Sequence, residues 1–506
     1  MKLENLCTAA DIPCPPSAKD REIGAIETDS RKTGKNTLFV CIRGLHTDGH
    51  AYIGEAVERG CTCILTEEGA VFDPLPPEVI CLSCPDTRRA TAMLYNAWYG
   101  YPTRQLSLIG VTGTNGKTSV THMLRAILEA AFYRCGLIGT VGCESVGRHL
   151  DSRAENALAN MTTPDPAVLY RVLSEMVADG VEYVLMEVTS HALALGKLAP
   201  MHFRAAIFTN LTPEHLDFHK TMEAYAAAKA ELMANSDLCV INGDSPYAGF
   251  MQAQAAGRVV TCSEHGRGDY NAEHLSFSGD GCPTYDLHSV DGCLRIPCAV
   301  PGRFSVMNSM QAAAVARELG IGAKTVKDAV SSLFGVKGRM ERVKLGLGAD
   351  FTVLIDYAHT PDALENLLRT TRLFCQRGAR IVLLFGCGGD RDQGKRPMMG
   401  RIASENADFV ILTSDNSRSE DPMEIISAIR TGMNEQADYC IIPDRAQAIE
   451  YAVRQARSGD ILLLAGKGHE EYEIRRDGKF PFCEKEIVRQ AFLARRRDEK
   501  REHGEP

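Results

Sequence analysis

Apolar, β-branched runs that stop at Gly, Asp or Ser alternate with longer Ala-rich stretches of helical period from one end of the chain to the other. LSLIGVTG, VEYVLMEVTS, FTVLIDYAH, ARIVLLFGCGG, ADFVILTSDN and GDILLLAGKG are the clearest runs. Their apolarity is continuous rather than alternating, which means burial on both faces. Each run is therefore predicted to be a strand of a parallel sheet whose C-terminal end opens into a polar loop. The fold class that follows is α/β, and function is expected in the loops at those strand ends.

A chain of 506 residues is too long for one hydrophobic core, and three domains are expected. The first hundred residues, ending at GYPTRQ, contain TLFVCIRG and CTCILTEEG and read as a small α/β module. Helical patterning ends again near SSLFGVKGRMERV, before a new strand series begins at FTVLIDYAH. Boundaries near 102 and 338 give domains 1–102, 103–338 and 339–506. Residues 257–300, rich in Gly, His and Asp, are expected to form a meander or surface insertion in the middle domain. The tail RRRDEKREHGEP reads as a frayed helix end.

Composition narrows the function classes. Apolar residues at 44% and charged residues at 24% describe an ordinary globular chain, and a net charge of -9 argues against nucleic acid or an anionic membrane as partner. The opening MKLENLCTAADIP has no apolar h-region, and no apolar stretch is long enough to span a bilayer, so a cytoplasmic protein is expected. Its 18 cysteines sit mostly in apolar runs and read as reduced, buried thiols. The pair Cys81 and Cys84 lacks a second pair at zinc-ligand spacing and is also expected to be buried.

GVTGTNGKTSV, residues 110–120, joins an apolar strand to the amphipathic stretch HMLRAILEA. That context suits a phosphate loop: Gly113, Thr114, Asn115, Gly116 and Ser119 surround the anion, Lys117 reaches the outer phosphates and Thr118 faces magnesium. Val111 stands where the strict motif has glycine, so the loop is a variant. Glu187 ends a buried strand, where a phosphate-loop protein presents a carboxylate to magnesium and where an acid can also simply cap a helix. His215 and His219 are one helical turn apart. Lys229 lies in an Ala-rich helix, where a lysine is ordinarily solvated.

The form T-G-T-N-G-K-T-S resembles the ATP loop of the Mur ligases and the related folylpolyglutamate synthetases. Thr162 to Pro164, EVTSHAL, FTNLTPEHLDFH and YAAAKAELM resemble the later middle-domain motifs of the Mur ligases; DYAHTPDALE, FGCGGDRDQGKRP, SDNSRSEDP and AGKGHEEY resemble the third domain of the tripeptide-forming member. The resemblance covers nearly the whole chain. It implies a three-domain Mur ligase architecture, with a uridine-diphosphate-binding first domain, a phosphate-loop parallel sheet in the middle and a Rossmann-like C-terminal domain.

The implied activity is an ATP- and magnesium-dependent ligase that extends UDP-N-acetylmuramoyl-L-alanyl-D-glutamate through an acyl phosphate. By resemblance Lys117, Glu187, His215 and Lys229 are catalytic, and Thr118, Glu187, His215 and a carbamylated Lys229 hold metal. His219 stays unassigned. Ser30, His46 and Thr47 would meet the uridine diphosphate, and Thr162, Thr163, Thr189, Ser190 and Lys197 the muramoyl dipeptide; Leu195 and Lys197 replace the family's frequent Gln and Arg. Asn308, Arg339, Asp356 and His359 resemble adenosine-side and interdomain contacts, although each could equally be a cap or a buried hydrogen-bonder.

Asp415, Asn416, Ser417 and Arg418 resemble the DNPR signature of diaminopimelate-adding members, with Ser417 in place of Pro; Arg391, Gly466 and Glu470 would complete that site. Meso-diaminopimelate is thus expected over L-lysine, since an arginine fork suits its extra carboxylate. A folylpolyglutamate synthetase would lack the first module, and a non-catalytic ATP-binding regulator would not need Lys117, Thr118, Glu187, His215 and Lys229 together. A monomer acting on small molecules is the expected assembly.

Overall fold

Each of the six apolar runs forms a buried parallel strand, and the sheets they build divide between two units. The computed structural model describes residues 1–44, 47–150, 162–278, 281–333, 335–346 and 348–502. One unit is Met1–Cys262 with Ala314–Leu319, and the other is Ser263–Ala313 with Gly320–Pro506.

Two sheets organise the first unit. Ala25–Glu27, Thr37–Val40, Cys63–Glu67 and Ile80–Cys84 pair in chain order as a four-stranded parallel sheet, the small module expected from the sequence. Its last strand corrects one expectation. Ile80–Cys84 is an edge strand with one face covered, so Cys84 is buried while Cys81 points out. All eighteen thiols are free and eleven are buried, but Cys293 is exposed like Cys81 and five more are only half-buried.

The larger sheet of this unit runs Arg258–Ser263, Leu238–Asn242, Ala205–Phe208, Ser107–Thr112, Tyr183–Glu187 and Cys135–Gly139, all parallel, followed by the antiparallel Gly142–Ser145 and Arg148–Leu150. After Ser107–Thr112 the chain moves to one side and later returns to the other. That strand thus borders the switch in strand order where crevices open in such sheets. Two glycines let helices lie close on it. A β-carbon at Gly110 would approach Leu232 Cδ1 to 2.8 Å, and one at Gly136 would approach Met176 Sδ to 2.7 Å. The first contact seats helix Met222–Ala234, which carries Lys229, beside the strand that feeds the glycine loop.

The second unit is built on a six-stranded sheet ordered Glu341–Arg342, Thr352–Asp356, Ile461–Ala465, Ile381–Phe385, Phe409–Leu412 and Tyr439–Ile441. Only the two-residue Glu341–Arg342 is antiparallel, and it is too short to leave a periodic signal in the sequence. Apolar layers cover both faces of this sheet. The antiparallel strands Tyr270–Phe277, Pro283–Ser289 and Gly292–Pro297 form the meander, but it groups with this unit, and Arg258–Ser263 at the start of the expected stretch is instead a parallel strand of the larger sheet. Buried Tyr285 ties it to helix Phe304–Glu318 through a 2.8 Å bond with Ser309 Oγ. The charged tail belongs to helix Glu484–Glu502, and residues 503–506 lie outside the described residues. Among the described residues no helix is long and apolar enough to cross a membrane.

Gly400 gives the fold a test of competing signs. It lies inside helix Lys395–Asn406, where alanine would ordinarily gain about 1 kcal/mol of helix propensity, but a β-carbon there would sit 2.1 Å from the Ile429 carbonyl oxygen. Backbone cannot yield as a side-chain end can. Gly400→Ala is therefore expected to destabilise by about 1–3 kcal/mol, read as a lower urea midpoint.

Candidate active site

The phosphate-loop residues are fixed by backbone conformation first. Gly113 has φ 147° and Gly116, preceding helix Lys117–Ala130, has φ 90°. A β-carbon at Gly113 would lie 1.9 Å from Thr209 Oγ1, so only glycine allows the loop to close against Thr209 and Asn210. Those two side chains hold the loop from the neighbouring strand end. Asn115 N donates to Asn210 Oδ1 at 2.9 Å, and Thr209 Oγ1 donates to the Asn115 carbonyl at 2.6 Å. Thr114 Oγ1 receives the Thr212 N–H at 3.0 Å and lies 3.3 Å from the Tyr225 hydroxyl.

Behind the loop is a buried carboxylate. Glu187 accepts from Thr118 Oγ1 at 3.0 Å, from Thr140 Oγ1 at 2.8 Å and from Thr140 N at 3.0 Å. Gly139 makes the room, because a β-carbon there would come within 2.3 Å of Glu187 Oε1. Thr162 joins through a 3.1 Å contact with Thr140 Oγ1. Thr163 donates to the Glu187 carbonyl at 2.9 Å and receives the Thr189 N–H at 3.2 Å, while Thr189 caps helix Ser190–Ala194. Buried Ser119 follows in the first turn of its own helix.

Lys117 Nζ donates to the Gly113 and Thr114 carbonyls, each at 2.9 Å. Lys229 is not solvated. It is 2% exposed, donates to the same Gly113 carbonyl at 3.0 Å and lies 4.6 Å from the Tyr225 ring centroid. Burial, and then the Lys117 cation, push its amine well below the ordinary lysine range. His215 has φ 56°, stacks edge-on to His191 at 4.8 Å, and is lowered by burial and by both lysines. His219 faces Ser190 Oγ at 2.8 Å instead. His191, which the sequence reading passed over, links both imidazoles and is pushed down to about 4 by burial and by those two neighbours.

Other first-unit candidates have partners of their own. Lys197 pairs with Asp165 at 2.7 Å and Ser30 donates to Glu55 at 2.7 Å. Thr47 is exposed, its carbonyl accepting the Gly44 N–H at 2.7 Å, and His46 lies outside the described residues. Leu195 ends helix Ser190–Ala194.

The second unit gathers its own cluster where strands Thr352–Asp356, Phe409–Leu412 and Ile461–Ala465 end. Buried Asp415 meets Lys467 Nζ at 3.4 Å and accepts the Asn416 N–H at 2.8 Å. Burial would raise its carboxyl, yet Lys467, Arg445 and that N–H hold it below the usual range. Asn416 donates to Glu470 at 2.7 Å and accepts from Lys467 at 3.0 Å. Glu470 is raised by burial and by Asp415. A β-carbon at Gly466 would lie 2.9 Å from Asp415 Oδ2.

Arg418, at φ 52°, donates to the Gly389 carbonyl at 2.8 Å, and Ser417 is buried before it. Arg391 is exposed, and its guanidinium is lowered by burial of its inner part and by Arg418. Asp356 accepts from Met340 N at 2.7 Å and Ala358 N at 2.8 Å, and burial raises its carboxyl. Arg339 lies 4.6 Å over the Tyr357 ring, His359 Nδ1 is 2.7 Å from the Tyr357 carbonyl, and Asn308 is buried in helix Phe304–Glu318. Lys467 and Arg445 were missed. Lys467 sat unread inside the quoted AGKGHEEY, whereas Arg445 begins an ordinary helix and carries no signal.

A glycine loop leaving a central parallel strand, a Lys-Thr pair opening the next helix and a buried acid on the adjacent strand define a phosphate-loop α/β protein. The comparisons narrow that class. Residues 22–97 match the family described as "Mur ligase family, catalytic domain", 111–316 the "Mur ligase middle domain" and 338–468 the "Mur ligase, glutamate ligase domain". The chain belongs to the Mur ligase family.

Among its relatives is a UDP-N-acetylmuramoyl-L-alanyl-D-glutamate--2,6-diaminopimelate ligase of Geobacillus thermodenitrificans, 40% identical over 94% of this chain and 96% of that protein. Its namesake in Caldanaerobacter subterraneus is 41% identical, over 93% and 94%. A solved ligase of the same name is similar with TM-score 0.67 and 30% identity, covering 98% of this chain and 100% of the other. A Mycobacterium tuberculosis folylpolyglutamate synthase, at 17% identity and TM-score 0.62 over 75% and 92%, shares the fold.

Removing the cation beside Asp415 tests the second cluster. Lys467→Met is expected to cost about 3 kcal/mol at pH 7, because a buried carboxylate loses its main partner. The wild-type folded carboxyl titrates below its unfolded value, so the stability this pair contributes is present above the unfolded pKa and lost as pH falls through the folded one. The gap between variant and wild type in urea denaturation should accordingly narrow toward acid pH.

Proposed function

We propose that this chain joins meso-2,6-diaminopimelate to the D-glutamate γ-carboxylate of UDP-N-acetylmuramoyl-L-alanyl-D-glutamate, using ATP. The observation that carries the reading is full-length similarity, at about 40% identity, to relatives bearing that name. The three matched segments support domain boundaries near 102 and 338. A nucleotide-linked substrate and ATP put the reaction in the cytoplasm, carried out by a monomer without nucleic-acid or membrane partners.

The residues present fit ATP and magnesium. Glu187 with the Thr118 and Thr140 hydroxyls is a hard-oxygen set of the kind magnesium takes, and the loop N–H groups with Lys117 suit a triphosphate. Thr118, Glu187, His215 and Lys229 would hold the metal, which supplies charge neutralisation when bound. Lys117 steadies the γ-phosphate while the substrate carboxylate oxygen forms a bond to phosphorus and the bond to ADP breaks. The amine of the incoming amino acid then attacks the acyl carbon, phosphate leaves and the nitrogen loses its proton. Positioning and charge offset do most of the work, so no covalent enzyme nucleophile is required.

Thr162, Thr163, Thr189, Ser190 and Lys197 would position the muramoyl dipeptide, and Ser30, His46 and Thr47 the uridine diphosphate. Asn308, Arg339 and Asp356 would serve the adenosine side. Lys229 fits carbamylation, since a buried amine whose pKa is pushed well below the lysine range more readily sheds its proton, adds carbon dioxide and becomes an anionic ligand. Lys117→Ala should abolish phosphate release in a folded protein. Lys229→Ala should be nearly inactive and partly rescued by a small carboxylate, whereas full activity without rescue would remove the carbamate from the reading.

Amino-acid choice rests on Arg418, Arg391, Asp415, Asn416, Ser417, Gly466 and Glu470. Cationic and anionic groups here match the second amino acid head of diaminopimelate, its carboxylate by Arg418 and its ammonium by Glu470. Kinetics with the two amino acids test it. Wild type should strongly prefer meso-diaminopimelate, and Arg418→Ala should lose about 2 kcal/mol or more of that preference. Equal or better use of L-lysine by wild type would overturn the assignment.

A further inference from the structure

The meander Tyr270–Phe277, Pro283–Ser289 and Gly292–Pro297 gathers metal-ligating side chains that the ligase reaction does not use. Strand register explains how. His288 lies opposite Cys293 and Asp286 opposite both Glu273 and Arg295, and residues two apart on a strand share a face. Glu273, Asp286, His288, Cys293 and Arg295 therefore project from the same side. Cys293 Sγ is 3.7 Å from His288 Nε2, which is 3.6 Å from Glu273 Oε2. Ligand atoms of Asp286, His288 and Cys293 all fall within 4.8 Å of one another, as do those of Glu273, His274 and His288.

A lattice of surface ion pairs accounts for part of this face. Asp286 accepts from Arg295 and meets His274 Nδ1, each at 3.0 Å. It does not account for Cys293, a thiol with no part in ion pairing that lies against an imidazole nitrogen. A tetrahedral zinc ion with ordinary bond lengths holds sulfur and nitrogen ligands about 3.5 Å apart, so the Cys293–His288 pair already has that spacing. Carboxylate oxygens keep spare lone pairs, and Asp286 can face a cation while Arg295 and His274 hold it from outside. Mixed sulfur, nitrogen and oxygen donors favour zinc-class ions over magnesium.

We propose that Asp286, His288 and Cys293, with Glu273 as the additional carboxylate, form a surface site for a zinc-class divalent cation. The ion would clasp the hairpin Pro283–Pro297, independently of the ligase reaction. The full-length chain, stripped with chelator under reducing conditions, is titrated with Co²⁺ and with Zn²⁺. Wild type should develop sulfur-to-cobalt charge-transfer absorption and bind zinc, and both Cys293→Ser and His288→Ala should lose that absorption and one zinc equivalent. Comparison with the variants isolates this site from the other seventeen thiols.

A second readout needs no variant. Zinc should slow alkylation of Cys293 in wild type at least about tenfold, followed by peptide mass spectrometry, and magnesium should not. Unchanged absorption and stoichiometry in Cys293→Ser, or zinc-independent alkylation of Cys293, overturns the proposal.

Discussion

Two lysine amines converge on one carbonyl oxygen, that of Gly113, and the chemistry of the first unit depends on that placement. Two ammonium groups so close, one of them buried, repel each other; the cheapest relief is for the buried one to give up its proton. Lys229 is the one displaced, because it is shut away from water against Tyr225 while Lys117 is only partly buried. Lowering one amine beside a cationic one would separate the tasks. In the proposed reaction Lys117 would serve as a point charge for a phosphate and Lys229 as the amine that takes up carbon dioxide. Gly110 and Gly113 make this possible by admitting a helix and a strand end where any side chain would block them.

The second unit solves a related problem with more partners. Asp415 is buried and Glu470 half-buried, and their carboxyls shift in opposite directions: Lys467 and then Arg445 hold Asp415 below the usual range, while burial and Asp415 raise Glu470. Arg445 is 1% exposed. It donates to Glu484 at 2.8 Å, to the Ser414 carbonyl at 3.1 Å and to the Ala465 carbonyl at 2.9 Å. One guanidinium thus ties together the ends of the two strands that carry Asp415 to Arg418 and Gly466 to Glu470. Loops at strand ends are usually the mobile part of an α/β domain; this pair is braced from within, which suits recognition by direction rather than by adaptation.

Much of this was legible in the sequence because burial leaves a pattern. Continuous apolar runs announced six of the parallel strands, and the phosphate loop was readable from Gly116-Lys117-Thr118 in a strand-to-helix setting. What escaped depended on tertiary contact. Ala-rich YAAAKAELM gives no hint that Lys229 faces inward, because alanines on every side erase the helical period; the resemblance, not the pattern, singled it out. Arg445 and His191 act through groups twenty or more residues away in the chain. Cys81 was misread because an edge strand and a central strand carry similar composition, and only sheet order tells them apart.

Ser417 shows how a departure from a motif can be absorbed by its surroundings. Proline restrains φ at this position in the DNPR signature, and serine gives that restraint up. The loop does not rely on it. The Ser417 carbonyl oxygen lies where a β-carbon at Gly389 would come within 1.9 Å, Glu420 N donates to the same oxygen at 3.1 Å, and Arg418 N donates to the Ile474 carbonyl at 3.1 Å. Close packing against a glycine and backbone bonds on either side define the turn that proline would otherwise preset. The left-handed conformation of Arg418 is then imposed by neighbours rather than by its own preference. With the backbone fixed in this way, the guanidinium is directed by its bond to the Gly389 carbonyl, and the fork proposed for a substrate carboxylate keeps its direction without the proline.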